Sequence, residues 1–169
     1  MIRWAAPDIV MYEEELNQIK QVIAKLRTDA NAKVVFLVDK NGQQIAAHGD
    51  IENLDTTSLA SLTAGNVAAT DGLARLIGEK EFSILFHEGE KDNIHISIVA
   101  QRVILVVIFD ERSSLGLVRL RVKKASQELN DVFARIVAKV EKEKAAAGGA
   151  FESPFAEITD EDIDSLFSE

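Results

Sequence analysis

Residues 55–78 read D-T-T-S-L-A-S-L-T-A-G-N-V-A-A-T-D-G-L-A-R-L-I-G, and how this stretch is oriented decides how the rest of the chain is read. Asp55, Thr56 or Thr57 supplies a side-chain oxygen that can cap a helix start, and Gly78 is the residue type that closes one. On a helical wheel at about 100° per residue, Leu59, Leu62, Ala69, Leu73, Leu76 and Ile77 fall on one side. By size and hydrophobicity this reads as the stripe facing the core. Ser61, Ala64, Gly65, Ala68 and Gly72 fall on the other side. An ordinary outer face carries Lys and Glu; this one carries almost no side chain. Two readings are open. Either the small face packs beneath another part of the same domain, or it is a docking surface where a second backbone approaches closely. Glycine inside a helix costs about 1 kcal/mol relative to alanine, so either reading has to offset Gly65 and Gly72.

The segments on either side alternate between strands and helices. Residues 1–10 read as a loose leader. A first helix opens at Pro7 or Asp8, runs through Leu16, Ile19, Ile23 and Leu26, and ends at Asn31. Lys33–Lys40 is a strand, and Asn41-Gly42 predicts a type I′ hairpin turn, in which both central residues take positive φ. Gln43–His48 returns. After the central helix come strands over Phe82–His87, Asn93–Ala100 and Val103–Asp110, with a tight turn at Gln101-Arg102. The last strand is apolar on both faces and is expected at the centre of the sheet. Ser113 or Ser114 caps a long helix whose buried stripe is Leu115, Val118, Val122, Ala125, Leu129, Val132, Ile136 and Val140. This helix frays over Glu141–Lys144, and 145–152 reads as a flexible linker. The order α-β-β-α-β-β-β-α joins every pair of neighbouring strands by a hairpin and links the two groups through one helix. It predicts an α+β fold: a five-stranded antiparallel sheet covered by helices.

The chain has 169 residues and no cysteine, which excludes disulfides, thiol nucleophiles and Cys-based metal sites. Met1–Pro7 lacks a signal-peptide apolar segment, and the apolar run Val103–Phe109 is too short to span a bilayer. Seven of the 28 acids lie in 152–169, a stretch without Lys or Arg, which leaves 21 acids against 19 basic residues elsewhere. The one basic cluster is Arg119, Arg121, Lys123 and Lys124, with Arg112 just before. That is too little for a nucleic-acid surface and reads as a solvated face or a rim of charge beside a docking face.

No catalytic constellation appears. Gly72–Lys80 has the wrong glycine spacing for a phosphate loop and has Glu79 where Lys is needed. His87-Glu88 starts like a zinc-protease motif, but Lys91 holds the second histidine position. His48, His87 and His95 sit on separate strands. Asp160, Asp162 and Asp164 imitate a calcium loop, with Ser165 in place of its glycine. No metal and no cofactor is expected.

Residues 153–169 read as an acidic amphipathic segment. Thr159 and Asp162 have capping-box spacing, and Ile163, Leu166 and Phe167 then share one face, with Phe155 and Ile158 before the cap. Regular apolar anchors on a tether point to recognition in a partner's groove.

The blocks D-T-T-S-L-A-S-L-T-A-G-N-V-A-A, F-H-E-G, L-V-V-I-F-D and S-S-L-G-L-V-R-L-R-V-K-K, in this order of elements, resemble the roadblock/LC7 family. The resemblance covers residues 11–144. It implies a non-catalytic, cytoplasmic homodimer that pairs its sheets and lays its central helices side by side. It further implies that a bacterial Ras-like GTPase of cell polarity and gliding motility docks there and is activated, with no arginine inserted. Ser61, Ala64, Gly65, Ala68 and Gly72 are then partner-binding, joined by Phe155, Ile158, Ile163, Leu166 and Phe167 in a second contact. GTP and Mg²⁺ belong to the GTPase. The resemblance also allows concentration at a cell pole. The alternative is a scaffold subunit that tethers a GTPase or motor without changing hydrolysis.

Overall fold

The computed structural model describes residues 2–3 and 10–150. By contact the chain falls into two compact units, Met1–Ile136 and Val137–Glu169. Within the first, Ile2–Arg3 (β1) pairs antiparallel with Val10–Met11 (β2), so the ends of the expected loose leader are tied together. Met11 is fully buried. The first helix, α1, spans Glu13–Asp29 and starts later than Pro7 or Asp8. Glu13, Glu14 and Glu15 occupy its first turn and Arg27 its last, each favourable to the helix dipole. Leu16, Ile19, Ile23 and Leu26 are buried as expected. Asn31 follows in a left-handed conformation with φ 49° and donates from Nδ2 to the Arg112 carbonyl at 2.7 Å.

The sheet comprises β3 (Val34–Asp39), β4 (Gln44–Gly49), β5 (Ile84–His87), β6 (Asn93–Val99) and β7 (Val103–Phe109). Its order is β4-β3-β7-β6-β5, and every pairing is antiparallel. β7 lies in the middle and is buried along its whole length, as its two apolar faces require.

Two turns exchange roles relative to expectation. At Asn41-Gly42 only Gly42 has positive φ, 88°. Gly42 N–H donates to the Asp39 carbonyl, Asp39 Oδ1 accepts from Asn41 N–H, and the register shifts between Leu37 and Val38. This is a type I turn completed by a left-handed glycine; the Asp39 carboxylate draws the Asn41 N–H inward. The turn with two positive φ values is Ala100–Gln101, at 53° and 61°, where no glycine announces it. Asn130 Oδ1 accepts from the Ala100 N–H at 2.9 Å, a tertiary hydrogen bond that helps hold it.

The second helix, α2, spans Thr56–Leu76. Asp55 caps it, accepting from Ser58 N–H at 3.0 Å and from Ser58 Oγ at 2.6 Å. These bonds hold its carboxyl below the usual range. Gly78, with φ 80°, closes the helix: its N–H reaches Arg75 O while Glu79 N–H reaches Ala74 O. α2 covers one face of the sheet, where Ala60, Ala64 and Val67 meet Phe36, Val38, Ile96, Ile104, Val106 and Ile108.

On the opposite face Val35, Leu37, His95, Ser97, Leu105 and Val107 are buried beneath α1 and the third helix, α3, which spans Leu115–Ala150. Ser114 is the cap of α3, its Oγ accepting from Leu117 N–H. Val118, Val122, Ala125, Leu129, Val132 and Ile136 form the buried stripe; Leu115 is only half-buried. α3 continues to Ala150 where fraying and a linker over 145–150 were expected. Ala-Ala-Ala has the highest helix propensity of any tripeptide, so that run suits a helix as well as a tether. Residues 153–169 lie outside the described residues.

Candidate docking surface

The size rule misorients α2. Its inward face is Ala60, Thr63, Ala64, Val67 and Ala74. Leu62, Leu73, Leu76 and Ile77, expected in the core, are 72%, 60%, 83% and 68% exposed. Ala69 is exposed too, and of the expected stripe only Leu59 packs against the core, half-buried. The reason lies in the sheet. Its α2-facing side already presents Phe36, Val38, Ile104 and Val106, so the space fills when the helix comes close with small residues. Close packing leaves no room for a second layer of leucines.

The five small residues divide. Ala64 is buried against the sheet, contrary to its wheel position on the open side. Ser61 is exposed, yet the β3–β4 turn passes beside it: a Cβ on Gly42 would stand 3.3 Å from Ser61 Cα and 3.6 Å from Ala64 Cβ. Their small size is explained inside the chain. Gly65, Ala68 and Gly72 differ. A Cβ on Gly65 or Gly72 would meet nothing within 4 Å, and Ala68 is exposed. Nothing among the described residues offsets the helical cost of those glycines. They lie beside Leu62, Leu73 and Leu76, making one apolar surface of small and large residues in which α2 contributes only two charges, Asp71 and Arg75.

β5 extends this surface. It is one of the two edges of the sheet, bonded to β6 alone, and Ile84 is 52% exposed. Phe86 stacks on Phe109, with ring centroids 6.2 Å apart, and Asn66 of α2 meets His87 Nε2 at 3.0 Å. An apolar helix face beside an open edge presents the two features that mark an interaction site. The wheel missed the leucines because it judged by size, and Ile84 lies on a strand outside it. The available signal was that α2 has no charged face at all.

The basic residues lie elsewhere. Arg119 and Arg121 are on α3, which covers the sheet face opposite α2. Arg112 bonds Asp110 through Nε at 3.0 Å, which lowers the Asp110 carboxyl and raises the guanidinium. His95 is buried on the α3 side, and neither ring nitrogen has a hydrogen-bond partner among the described residues. Burial, and then the charge of Arg119, push it below the ordinary histidine value, so it is neutral at pH 7. Among the described residues no group of three His, Cys, Asp or Glu could hold a metal, and no helix is long and apolar enough to cross a membrane. A cleft of about 380 Å³ between α1 and α3 is lined by Gln18, Lys25, Asp131, Arg135 and their neighbours. It is open and lined mostly by charged and amide side chains, unlike the enclosed sites that hold small molecules.

The Roadblock/LC7 domain model matches residues 18–109, just over half of the chain. The chain belongs to the Roadblock/LC7 family. The match runs from α1 to the end of β7 and includes the whole α2–β5 surface. Among solved structures, MglB of Myxococcus xanthus is 65% identical, with a TM-score of 0.72 over 76% of this chain and 96% of that one. The gliding protein MglB of Thermus thermophilus is 30% identical, with a TM-score of 0.71 over 76% of this chain and 97% of that one. An MglB described with a tetrameric arrangement is 29% identical, with a TM-score of 0.72 over 78% of this chain and 99% of that one. A profilin from Schizosaccharomyces pombe, at 15% identity and a TM-score of 0.52, shares the fold alone. Among curated proteins none matches the chain.

Proposed function

We propose that this Roadblock/LC7 protein is a homodimeric activator of a bacterial Ras-like GTPase, of the MglA kind, that acts in cell polarity and gliding motility. The observation that carries the reading is the outward face of α2, where exposed leucines flank two glycines that nothing among the described residues requires. The similarity to MglB supports it. Two copies pair through their open β5 edges, which satisfies the edge N–H and C=O groups, and set their α2 helices side by side. The GTPase docks on the resulting platform. Small residues at 65, 68 and 72 let its backbone approach closely, and the contact moves the GTPase's own catalytic groups into line. Of the two charges on α2, Asp71 has the wrong sign for a finger, and Arg75, exposed in the last turn, is the one cation that the reading requires to be dispensable for hydrolysis. Arg119 and Arg121 are on the far side of the sheet. GTP and Mg²⁺ are held by the GTPase, and the protein carries no active site of its own. Residues 153–169, with Phe155, Ile158, Ile163, Leu166 and Phe167, make a second contact with the GTPase and influence nucleotide exchange. The protein works in the cytoplasm and gathers at a pole where its GTPase is regulated.

Single-turnover GTP hydrolysis by the cognate GTPase, with and without this protein, tests the proposal. Acceleration is expected. Tight binding with an unchanged rate would make the protein a tethering scaffold instead. Light scattering that gives a monomer at micromolar concentration would break the dimer.

A further inference from the structure

The face of the sheet opposite α2 leaves β5 uncovered. Residues paired directly across neighbouring strands point to the same side of a sheet. Ile84 pairs with Ser97 and Phe86 with His95, and both partners are buried on the side of α1 and α3. Ile84 and Phe86 therefore turn away from α2, whereas Leu85 packs into the core beneath α2. On the far side two helices meet five strands. α1 lies over β4 and β3. α3 takes β7 and β6: its Asn130 bonds the β6–β7 turn, and the charge of Arg119 reaches His95 of β6. Neither helix covers β5, so Ile84 stays 52% exposed and Phe86 half-buried.

The wall beside this apolar strip is basic. Arg119, Lys123 and Asn130 are four and seven residues apart and so share the side of α3 that turns toward β5. Arg119 and Lys123 are exposed, and neither forms an ion pair with another described residue. No acid lies between Arg112 and Gln127. The inference rests on the pairing of β5 edges proposed above. A two-fold axis between paired β5 strands sets Ile84 and Phe86 of both copies side by side as one apolar floor, with a basic wall along each side. Strands lie about 4.8 Å apart, so an α3 centred over β7 and β6 stands two spacings, about 10 Å, from the axis. The two α3 helices are then about 19 Å apart, twice the roughly 8–10 Å between packed helices. One further helix fits between them.

We propose that this groove, on the face opposite the GTPase platform, binds one amphipathic helix of a partner protein per dimer. Its apolar residues rest on Ile84 and Phe86, and acidic residues along both of its flanks meet Arg119 and Lys123 of the two α3 helices. An extended peptide fits less well, because the β5 edges that it would pair with are already used. Nucleic acid fits less well too: no aromatic side chain interleaves with the cations of Arg112–Gln127 to stack a base. The dimer can thus hold a GTPase on one face and a second protein on the other at the same time.

The probe is a synthetic helical peptide of about 18 residues, some 27 Å long, with leucine at helical spacing and glutamate on both flanks. Calorimetry at low salt should give one peptide per dimer. The same peptide with lysine in place of glutamate should bind at least about tenfold more weakly, as juxtaposed like charges require. In isotope-labelled protein the amides of Ile84–His87 and Leu115–Lys123 should shift, and those of Ser61–Leu76 should not. Arg119→Glu with Lys123→Glu, at two exposed positions, should weaken the glutamate peptide by a similar factor in a dimer that stays folded by circular dichroism. Two peptides per dimer, shifts centred on α2, or undiminished binding by the charge-reversed variant would each overturn the proposal. A dimer that binds no peptide would overturn the groove and leave the β5 pairing intact. A monomer by light scattering would overturn the pairing, and the groove with it.

Discussion

Helices α2 and α3 lie on opposite faces of one sheet, yet only one of them declares its orientation. Along α3 the buried Val118, Val122, Ala125, Leu129 and Val132 alternate with Arg119, Lys123, Lys124, Gln127 and Asp131. Charge has to face water, so the wheel has one solution. Along α2 both sides are apolar, and the larger side turns outward. The difference teaches that the charged face, not the size of the apolar residues, reveals how a helix lies. When no charged face exists, the missing charge is itself the signal of a second partner.

The largest expected effect tests the inversion of α2 directly. Val67→Asp places a carboxylate on the buried side and should cost more than about 4 kcal/mol, enough to prevent folding. Leu62→Asp, on the side first read as core, should change the stability of the chain by no more than about 0.5 kcal/mol while weakening association. Urea unfolding followed by circular dichroism separates them; equal losses would mean that α2 buries both faces within one chain.

Next, Ala68→Arg with Gly72→Arg should weaken GTPase binding on the order of 100-fold, the range of interface hot spots, in a dimer that remains folded by light scattering. Normal binding by calorimetry would remove this face from the interface. On α3 the contrast runs the other way. Replacing Arg119 or Arg121 singly with Ala should lower activation far less than the roughly 10³-fold expected of an arginine finger. A loss of that size in single-turnover hydrolysis, with binding intact, would give α3 the role assigned to α2.

A smaller effect concerns His95, buried on the α3 side. Its folded value lies below that of the unfolded chain, so the unfolded state binds the proton first as the pH falls. The stability it contributes is present above the unfolded value of about 6.5 and is lost as the pH drops through the folded value. Unfolding free energy should therefore fall between pH 7 and pH 5, and His95→Leu should flatten that slope. The smallest effect is at the Ala100–Gln101 turn, where Gln101→Gly should stabilise by up to about 1 kcal/mol by removing a side chain from positive φ. Denaturation midpoints would detect it.

Much of the fold was legible from the sequence. The β3–β4, β5–β6 and β6–β7 pairings follow from short connections, the central place of β7 from Val103–Phe109 being apolar throughout, and the α1 and α3 stripes from their charged opposites; only the packed structure joins β3 to β7. The Gly78 stop and a cap at Asp55–Thr57 and at Ser113-Ser114 are local chemistry, readable because a cap bonds backbone within one turn of itself; the structure chose Asp55 and Ser114. The domain's family was legible too, from its long blocks.

Only the packed structure decided the rest. The face that α2 buries depends on how large the side chains of β3, β6 and β7 are beneath it, residues distant in sequence. The same long-range contact sorts the small residues: Ser61 and Ala64 are small because the β3–β4 turn runs against them, whereas Gly65 and Gly72 face open space. The Ala100–Gln101 turn, too, is bonded by Asn130 from another element. Sequence carries what a residue's chain neighbours determine, but orientation in a helix that is apolar all round is set by what it packs against.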